Sequence, residues 1–166
     1  QVISFSDLVR VYAGDGPVPG TDENVIGAEQ FVDDLRALGT TSMTAGLERA
    51  LSQPESEEDV LDMIVLVTDG YVTSGERLMR AVHEHLGQRR LLTSGVGPAP
   101  NRFLLERLAE LGRGDALFVA PSDPSEVVAQ QFLERIESPQ LTDIEIDWGE
   151  LTVHSVYPRR VPDLFG

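Results

Sequence analysis

Met63-Ile64-Val65-Leu66-Val67-Thr68-Asp69-Gly70 is the stretch on which the fold turns. Its first five residues are all apolar and mostly branched. The acidic loop Glu55-Ser56-Glu57-Glu58-Asp59 precedes them and an Asp-Gly turn signal follows. A continuous apolar run of this length, bounded by turn signals, predicts a parallel strand that is buried on both faces and lies centrally in its sheet.

Downstream of this strand the pattern alternates. Leu78, Val82 and Leu86 recur at helical spacing between Ser74 and Gly87, and Leu91 to Val96 reads as the next strand. Asn101 is placed to cap a helix carrying Leu104, Leu108 and Leu111. Gly112 ends that helix, and Ala116 to Val119 follows as a strand. Asp123-Pro124-Ser125-Glu126 combines a cap residue, a proline at the first helical position and a returning glutamate, and so opens a helix that runs to about Ile136.

Upstream, Val2 to Phe5 and Leu8 to Tyr12 read as short strands joined at Ser6-Asp7, with a turn-rich stretch from Gly14 to Gly20. A helix capped by Thr21 or Asp22 carries Val25, Ala28, Phe31 or Val32, Leu35 and Leu38, and ends at Gly39. A shorter helix after Ser42 carries Leu47 and Leu51, and Pro54 closes it. Strands alternating with helices predict an α/β fold, a doubly wound and mostly parallel open sheet with helices on both faces. After Ser138-Pro139 the pattern changes. Ile144, Ile146 and Trp148 alternate, then Leu151 and Val153, about a turn at Gly149; this predicts a C-terminal β-ribbon. The division is thus an α/β domain over 1–138 and the start of a following β-rich region over 139–166.

Composition narrows the function. The 166 residues are 41% hydrophobic and 25% charged, enough for one hydrophobic core. Twenty-eight acidic against 13 basic residues give a net charge of -15, which repels phosphate backbones and anionic membranes, so nucleic acid is not an expected partner. The chain has no cysteine, which excludes disulfides, thiolate metal ligands and cysteine nucleophiles. No apolar run reaches the length of a membrane span, so no membrane insertion is expected.

In open parallel sheets, ligands bind outside the carboxyl ends of strands. Asp69 stands at that end of the Met63–Val67 strand, which makes it the first candidate; the same Asp-Gly pair is also an ordinary turn or a helix cap. Gly39-Thr40-Thr41-Ser42 places hydroxyls beside a helix start, and there too capping is the simpler role. His83 and His85 share a helix without the i, i+4 spacing of a metal pair. His154 reads as a strand side chain, and Trp148 as packing beside a turn.

Taken together, Gly39-Thr40-Thr41-Ser42 with Ala45-Gly46-Leu47, and Ile64 through Gly70, resemble two of the three loops that build the metal-ion-dependent adhesion site of von Willebrand factor A domains. Val2 to Ser6 resembles that family's second strand. Ser94-Gly95-Val96-Gly97, Asn101 and Leu104 through Ala109 are similar to a later strand, loop and helix. Ser138-Pro139, Leu141-Thr142-Asp143, Val156-Tyr157-Pro158 and Leu164-Phe165 resemble the stretch after this domain in inter-alpha-trypsin inhibitor heavy chains and their bacterial relatives.

The resemblance implies that Thr41 supplies a hydroxyl ligand to a divalent cation and that Asp69 holds it directly or through water. Magnesium or another hard cation suits such oxygen ligands, and a partner's carboxylate completes the coordination. The implied function is a protein-binding adhesion module, not an enzyme, with an extracellular or surface protein ligand and an extracellular, cell-surface or periplasmic location for the protein itself. The family's Asp-x-Ser-x-Ser loop is absent from the chain. The pattern enters at the second strand, so the first strand and helix, roughly 30 residues or more, are expected to be missing. Thr41 and Asp69 then form a partial site, with weak or no metal binding in this chain. Loss of a central strand is expected to be compensated by new strand pairing, by a second copy in a homo-oligomer or by material outside these residues. Two rival readings are a scaffold domain without metal and a Rossmann-type nucleotide-binding enzyme. The latter rests on Gly95-Val96-Gly97, which lacks the full Gly-x-Gly-x-x-Gly run.

Overall fold

The computed structural model describes residues 1–14, 16–36, 42–56, 60–69, 75–137, 139–141, 144–157 and 164–165. The chain divides into two compact units, residues 1–62 with 72–88 and residues 63–71 with 89–166.

In the first unit, β1 (Ile3–Phe5) and β2 (Val9–Val11) pair antiparallel, Ser4 opposite Arg10. Helix α1 (Asp22–Asp33) starts where the Thr21 hydroxyl accepts from the Asn24 N–H. Its apolar periodicity extends to Leu38, yet the helix stops at Asp33. Two carboxylates, Asp33 and Asp34, meet the negative end of the helix there, with no basic residue in the last turn to offset them. Leu38 and Gly39 lie outside the described residues. Helix α2 (Met43–Leu51) buries Met43, Gly46, Leu47 and Leu51, at the spacing of one helical face. Gly46 packs against the Phe5 ring so closely that any side chain there would overlap it. Helix α3 (Gly75–His85) buries Leu78, Ala81 and Val82 and packs against α2.

The second unit is built on three parallel strands, β3 (Met63–Thr68), β4 (Arg90–Val96) and β5 (Arg113–Val119), in the order β3-β4-β5. Helix α4 (Arg102–Leu111) crosses from β4 to β5. The side chains of Leu104, Leu105, Leu108 and Ala109 are buried, and the helix covers the sheet face that carries Thr93 and Gly95. Asn101 caps α4 as expected, accepting from the Leu104 N–H at 3.2 Å, and Gly112 ends it.

Two expectations about β3 are corrected. Among the described residues β4, whose residues Arg90 to Gly95 are all buried, is the middle strand of this sheet, and β3 is an end strand. Nor is β3 buried on both faces: Leu66 and Thr68 are buried, while Val65 is 39% and Val67 54% exposed. Val65 and Val67 open instead onto a groove of about 450 Å³, bounded also by Leu117, Val119, Val128 and Phe132.

β5 begins at Arg113 rather than Ala116, because Gly112 and Gly114 let the chain run against Leu91 of β4. The last long helix, α5 (Ser125–Glu137), has Pro124 in the cap position, its carbonyl accepting from the Val128 N–H at 3.1 Å. Asp123 turns its carboxylate back to the Ala120 N–H at 2.8 Å instead of capping the helix.

The C-terminal ribbon is made by residues other than those expected. β6 (Pro139–Leu141) pairs antiparallel with β7 (Leu164–Phe165), while residues 144–157 hold no strand. The turn at Gly149 does form: its φ is +56°, and the Leu151 N–H donates to the Trp148 carbonyl at 3.1 Å. Alternation sets which face of a strand is apolar, not whether a partner stands in register beside it, so the alternation on either side of that turn does not by itself produce strands.

Candidate functional site

The carboxyl ends of β3, β4 and β5 form a rim, and residues reach it for local reasons. Thr68, opposite Gly95 in register, is buried, and Asp69, the residue after the strand, is exposed. Beside it Gly97 has φ +101°, a conformation that side chains disfavour, and donates its N–H to the Val119 carbonyl at 2.9 Å. This bond ties the β4–α4 loop to the end of β5. A Cβ on Gly97 would stand 4.0 Å from that of Asp69, so on this side Asp69 faces bare backbone.

Helix α3 is described from Gly75 onward, and residues 70–74, between it and Asp69, lie outside the described residues. Thr41, the second expected ligand, lies outside the described residues, as do Gly39, Thr40 and Gly70. Ser42, which follows Thr41, donates its main-chain N–H to the Ser6 carbonyl at 3.2 Å just after β1, and its side chain makes no capping bond to α2.

His83 and His85 are exposed on α3, and His154 is exposed in the C-terminal segment. Among the described residues no group of three or more histidine, cysteine, aspartate and glutamate side chains could hold a metal. A hard divalent cation takes six or more oxygen ligands. At the described strand ends stand the carboxylate of Asp69 and that of Asp123, which accepts from the Ala120 N–H; these are too few for a site.

The Gly95-Val96-Gly97 run has a packing role. A side chain on Gly95 would collide with Pro100, Leu105 and Phe118, and Gly97 makes the turn above. Sequence reasoning missed two features of this unit. One is the apolar groove beside β3; its signal was the same branched run that suggested two-sided burial. The other is the first turn of α4, where the Arg102 guanidinium stacks 4.1 Å from the centroid of the Phe118 ring and Phe103 stands exposed.

A parallel sheet with α4 crossing between its strands defines an open α/β domain, the class of fold in which ligands bind at the carboxyl ends of strands. The chain belongs to the von Willebrand factor type A domain family, which it matches over residues 13–118. It is 28% identical over 167 residues, 99% of its length, to a von Willebrand factor A domain-containing protein of Dictyostelium discoideum. It is 28% identical over 160 residues, 89% of its length, to inter-alpha-trypsin inhibitor heavy chain H3 of Bos taurus. It spans only 8% and 18% of those two proteins. Among solved structures, proximal thread matrix protein 1 of the mussel byssus shares the fold, with a TM-score of 0.55 and 17% identity over 79% of this chain and 34% of that one. A second structure of that protein has a zinc-occupied MIDAS motif; it matches with a TM-score of 0.54 and 19% identity over 78% of this chain and 32% of that one.

Proposed function

We propose that this chain is a protein-interaction module whose binding surface is the rim at the carboxyl ends of β3, β4 and β5. In its complete form, on this reading, the rim engages a partner's carboxylate through a divalent cation at a metal-ion-dependent adhesion site, to which this chain contributes Thr41 and Asp69. The observation that carries the reading is the position of Asp69, exposed directly after a buried strand end and flanked by the bare backbone of Gly97. Membership of the von Willebrand factor type A family supports a binding role rather than catalysis.

A cation held by few anionic groups keeps positive character and attracts an incoming carboxylate. The same shortage of ligands makes the site weak, with magnesium half-saturating at about millimolar concentration or above, in the range of low-affinity extracellular cation modules. The zinc-occupied motif of the mussel matrix protein is consistent with a divalent ion in this family, and its byssal source fits an extracytoplasmic location. Residues 139–166, on the same reading, begin a further β-rich region.

The test is a magnesium titration followed by the amide resonances of residues 66–69 and 95–98, in the chain and in Asp69→Asn. Saturable shifts at millimolar magnesium, lost in the variant, are expected. No response up to tens of millimolar would remove the cation from the reading. Micromolar saturation would contradict the partial site.

A further inference from the structure

Ser94 sits in β4 with Val67 of β3 and Leu117 of β5 beside it in register. Thr93, one residue earlier, points to the other face and bonds to the Leu105 carbonyl of α4. Ser94 therefore faces the groove, whose floor is this row of strand residues and whose wall is α5. The residue is only 5% exposed, yet among the described residues its hydroxyl has no hydrogen-bond partner.

The chemistry of the groove specifies what fills it. Its volume of about 450 Å³ falls in the range of roughly 300–1,000 Å³ typical of small-molecule sites, and Val128 and Phe132 on its α5 side are only half-buried. Apolar surface is thus left to cover. A wholly apolar molecule would also cover the Ser94 hydroxyl and strand it without water or partner, which is costly, so the occupant carries a hydrogen-bonding atom at that level. Asp123 borders the groove in the loop before α5, exposed, with one carboxylate oxygen accepting from the Ala120 N–H. No basic residue lines the groove among the described residues, and the chain has a net charge of -15. An anion is repelled there and a cation attracted. A second copy of the chain brings the same charge and is disfavoured by the same repulsion.

We infer that the groove is a binding site for a small apolar amine. The hydrocarbon body lies between the strands and Phe132, an oxygen along it accepts from the Ser94 hydroxyl, and the ammonium is directed toward Asp123. The site needs no metal and uses neither Thr41 nor Asp69, so it stands or falls apart from the binding role of the rim.

The experiment titrates the full chain, labelled with nitrogen-15, with 3-benzyloxypropylamine. Two probes keep the body and change the end, 3-benzyloxypropan-1-ol and 3-benzyloxypropanoate; a third, 5-phenylpentylamine, replaces the ether oxygen by a methylene. Saturable shifts clustered at residues 65–67, 94–96, 117–120 and 128–132 are expected, since these segments enclose the groove. At low salt the amine should bind at least about tenfold more tightly than the carboxylate, and Asp123→Asn, which keeps the acceptor for Ala120, should narrow that ratio. Ser94→Ala removes a hydroxyl that holds nothing in the fold. It should lower the affinity for the ether amine about fivefold relative to 5-phenylpentylamine, the worth of one neutral hydrogen bond. Shifts absent at about 10 mM or scattered elsewhere, a carboxylate that binds as well as the amine, or an unchanged ether preference in Ser94→Ala would each overturn the inference. So would resonances of the same segments that move on dilution of the chain alone, which would place a second copy in the groove.

Discussion

The hydroxyl of Thr93, buried in β4, donates a 3.1 Å hydrogen bond to the main-chain carbonyl of Leu105 on α4. It is a polar tie between sheet and helix inside an apolar layer. The Leu105 carbonyl also belongs to the helix ladder, so removing the hydroxyl leaves no orphaned acceptor. Thr93→Val should therefore cost about 1 kcal/mol or less, the net worth of one hydrogen bond. Urea unfolding of the two proteins measures this, and a loss of about 3 kcal/mol would mean that the hydroxyl has a further buried partner.

Where β5 begins, two glycines let main chains approach more closely than side chains permit. A Cβ on Gly114 would overlap the Leu91 carbonyl, and one on Gly112 would overlap the Leu91 Cβ; between them Arg113 takes φ +55°. Because the obstructing atoms at Gly114 are backbone, they cannot rotate away. Gly114→Ala should lower stability by about 1–3 kcal/mol. Gly14→Ala, with nothing within 4 Å, should stay within about 0.5 kcal/mol. Equal thermal midpoints for the two variants would refute the close packing.

The legible parts of this fold were those set by local chemistry. Caps at Thr21 and Asn101, the stop at Gly112 and the apolar faces of α2, α3 and α4 all depend on residues a few positions apart, and the structure has them. What depends on distant neighbours was not legible. The branched run of β3 looks the same whether one face or two are covered. Strand-like alternation at Ile144 to Val153 looks the same with or without a pairing strand, so the ribbon fell to β6 and β7 instead. At the rim, Asp69 could be placed because strand ends are places of convergence. The place of Gly97 beside it could not, since an open neighbour leaves no periodicity. Thr41 lies outside the described residues, so its pairing with Asp69 stays a proposal.

Tyr157 fastens the C-terminal segment to α4. Its hydroxyl lies 2.6 Å from Nη1 of Arg107, and the same nitrogen pairs with Glu110. The Tyr157 bond first, and Glu110 second, hold the Arg107 guanidinium above its ordinary value. A raised value in the folded state contributes stability that is fully present below the unfolded value and is lost only as pH rises through the folded one. No change is therefore expected between pH 5 and 9, where arginine is fully charged in both states. The group is exposed, so Tyr157→Phe should leave the unfolding midpoint unchanged. Amide exchange at residues 150–157 should nevertheless speed up, and exchange at the wild-type rate would show that this contact does not hold the segment.

Neighbouring residues of β3 provide the sharpest contrast. Leu66 is 4% exposed and Val67 54%, one residue apart and therefore on opposite faces of the strand. Leu66→Ala empties space inside a packed layer and should cost about 2–5 kcal/mol. Val67→Thr keeps the branched shape that suits a strand and puts its hydroxyl where water reaches it, so it should cost less than about 0.5 kcal/mol. The comparison also reports on the groove between β3 and α5. Adding a hydroxyl to a covered apolar face costs about 1–3 kcal/mol unless the group finds a partner. If Val67→Thr loses that much, and loses it more at high protein concentration, then a second copy covers this face in solution. A small, concentration-independent effect places Val67 in water, as its exposure indicates.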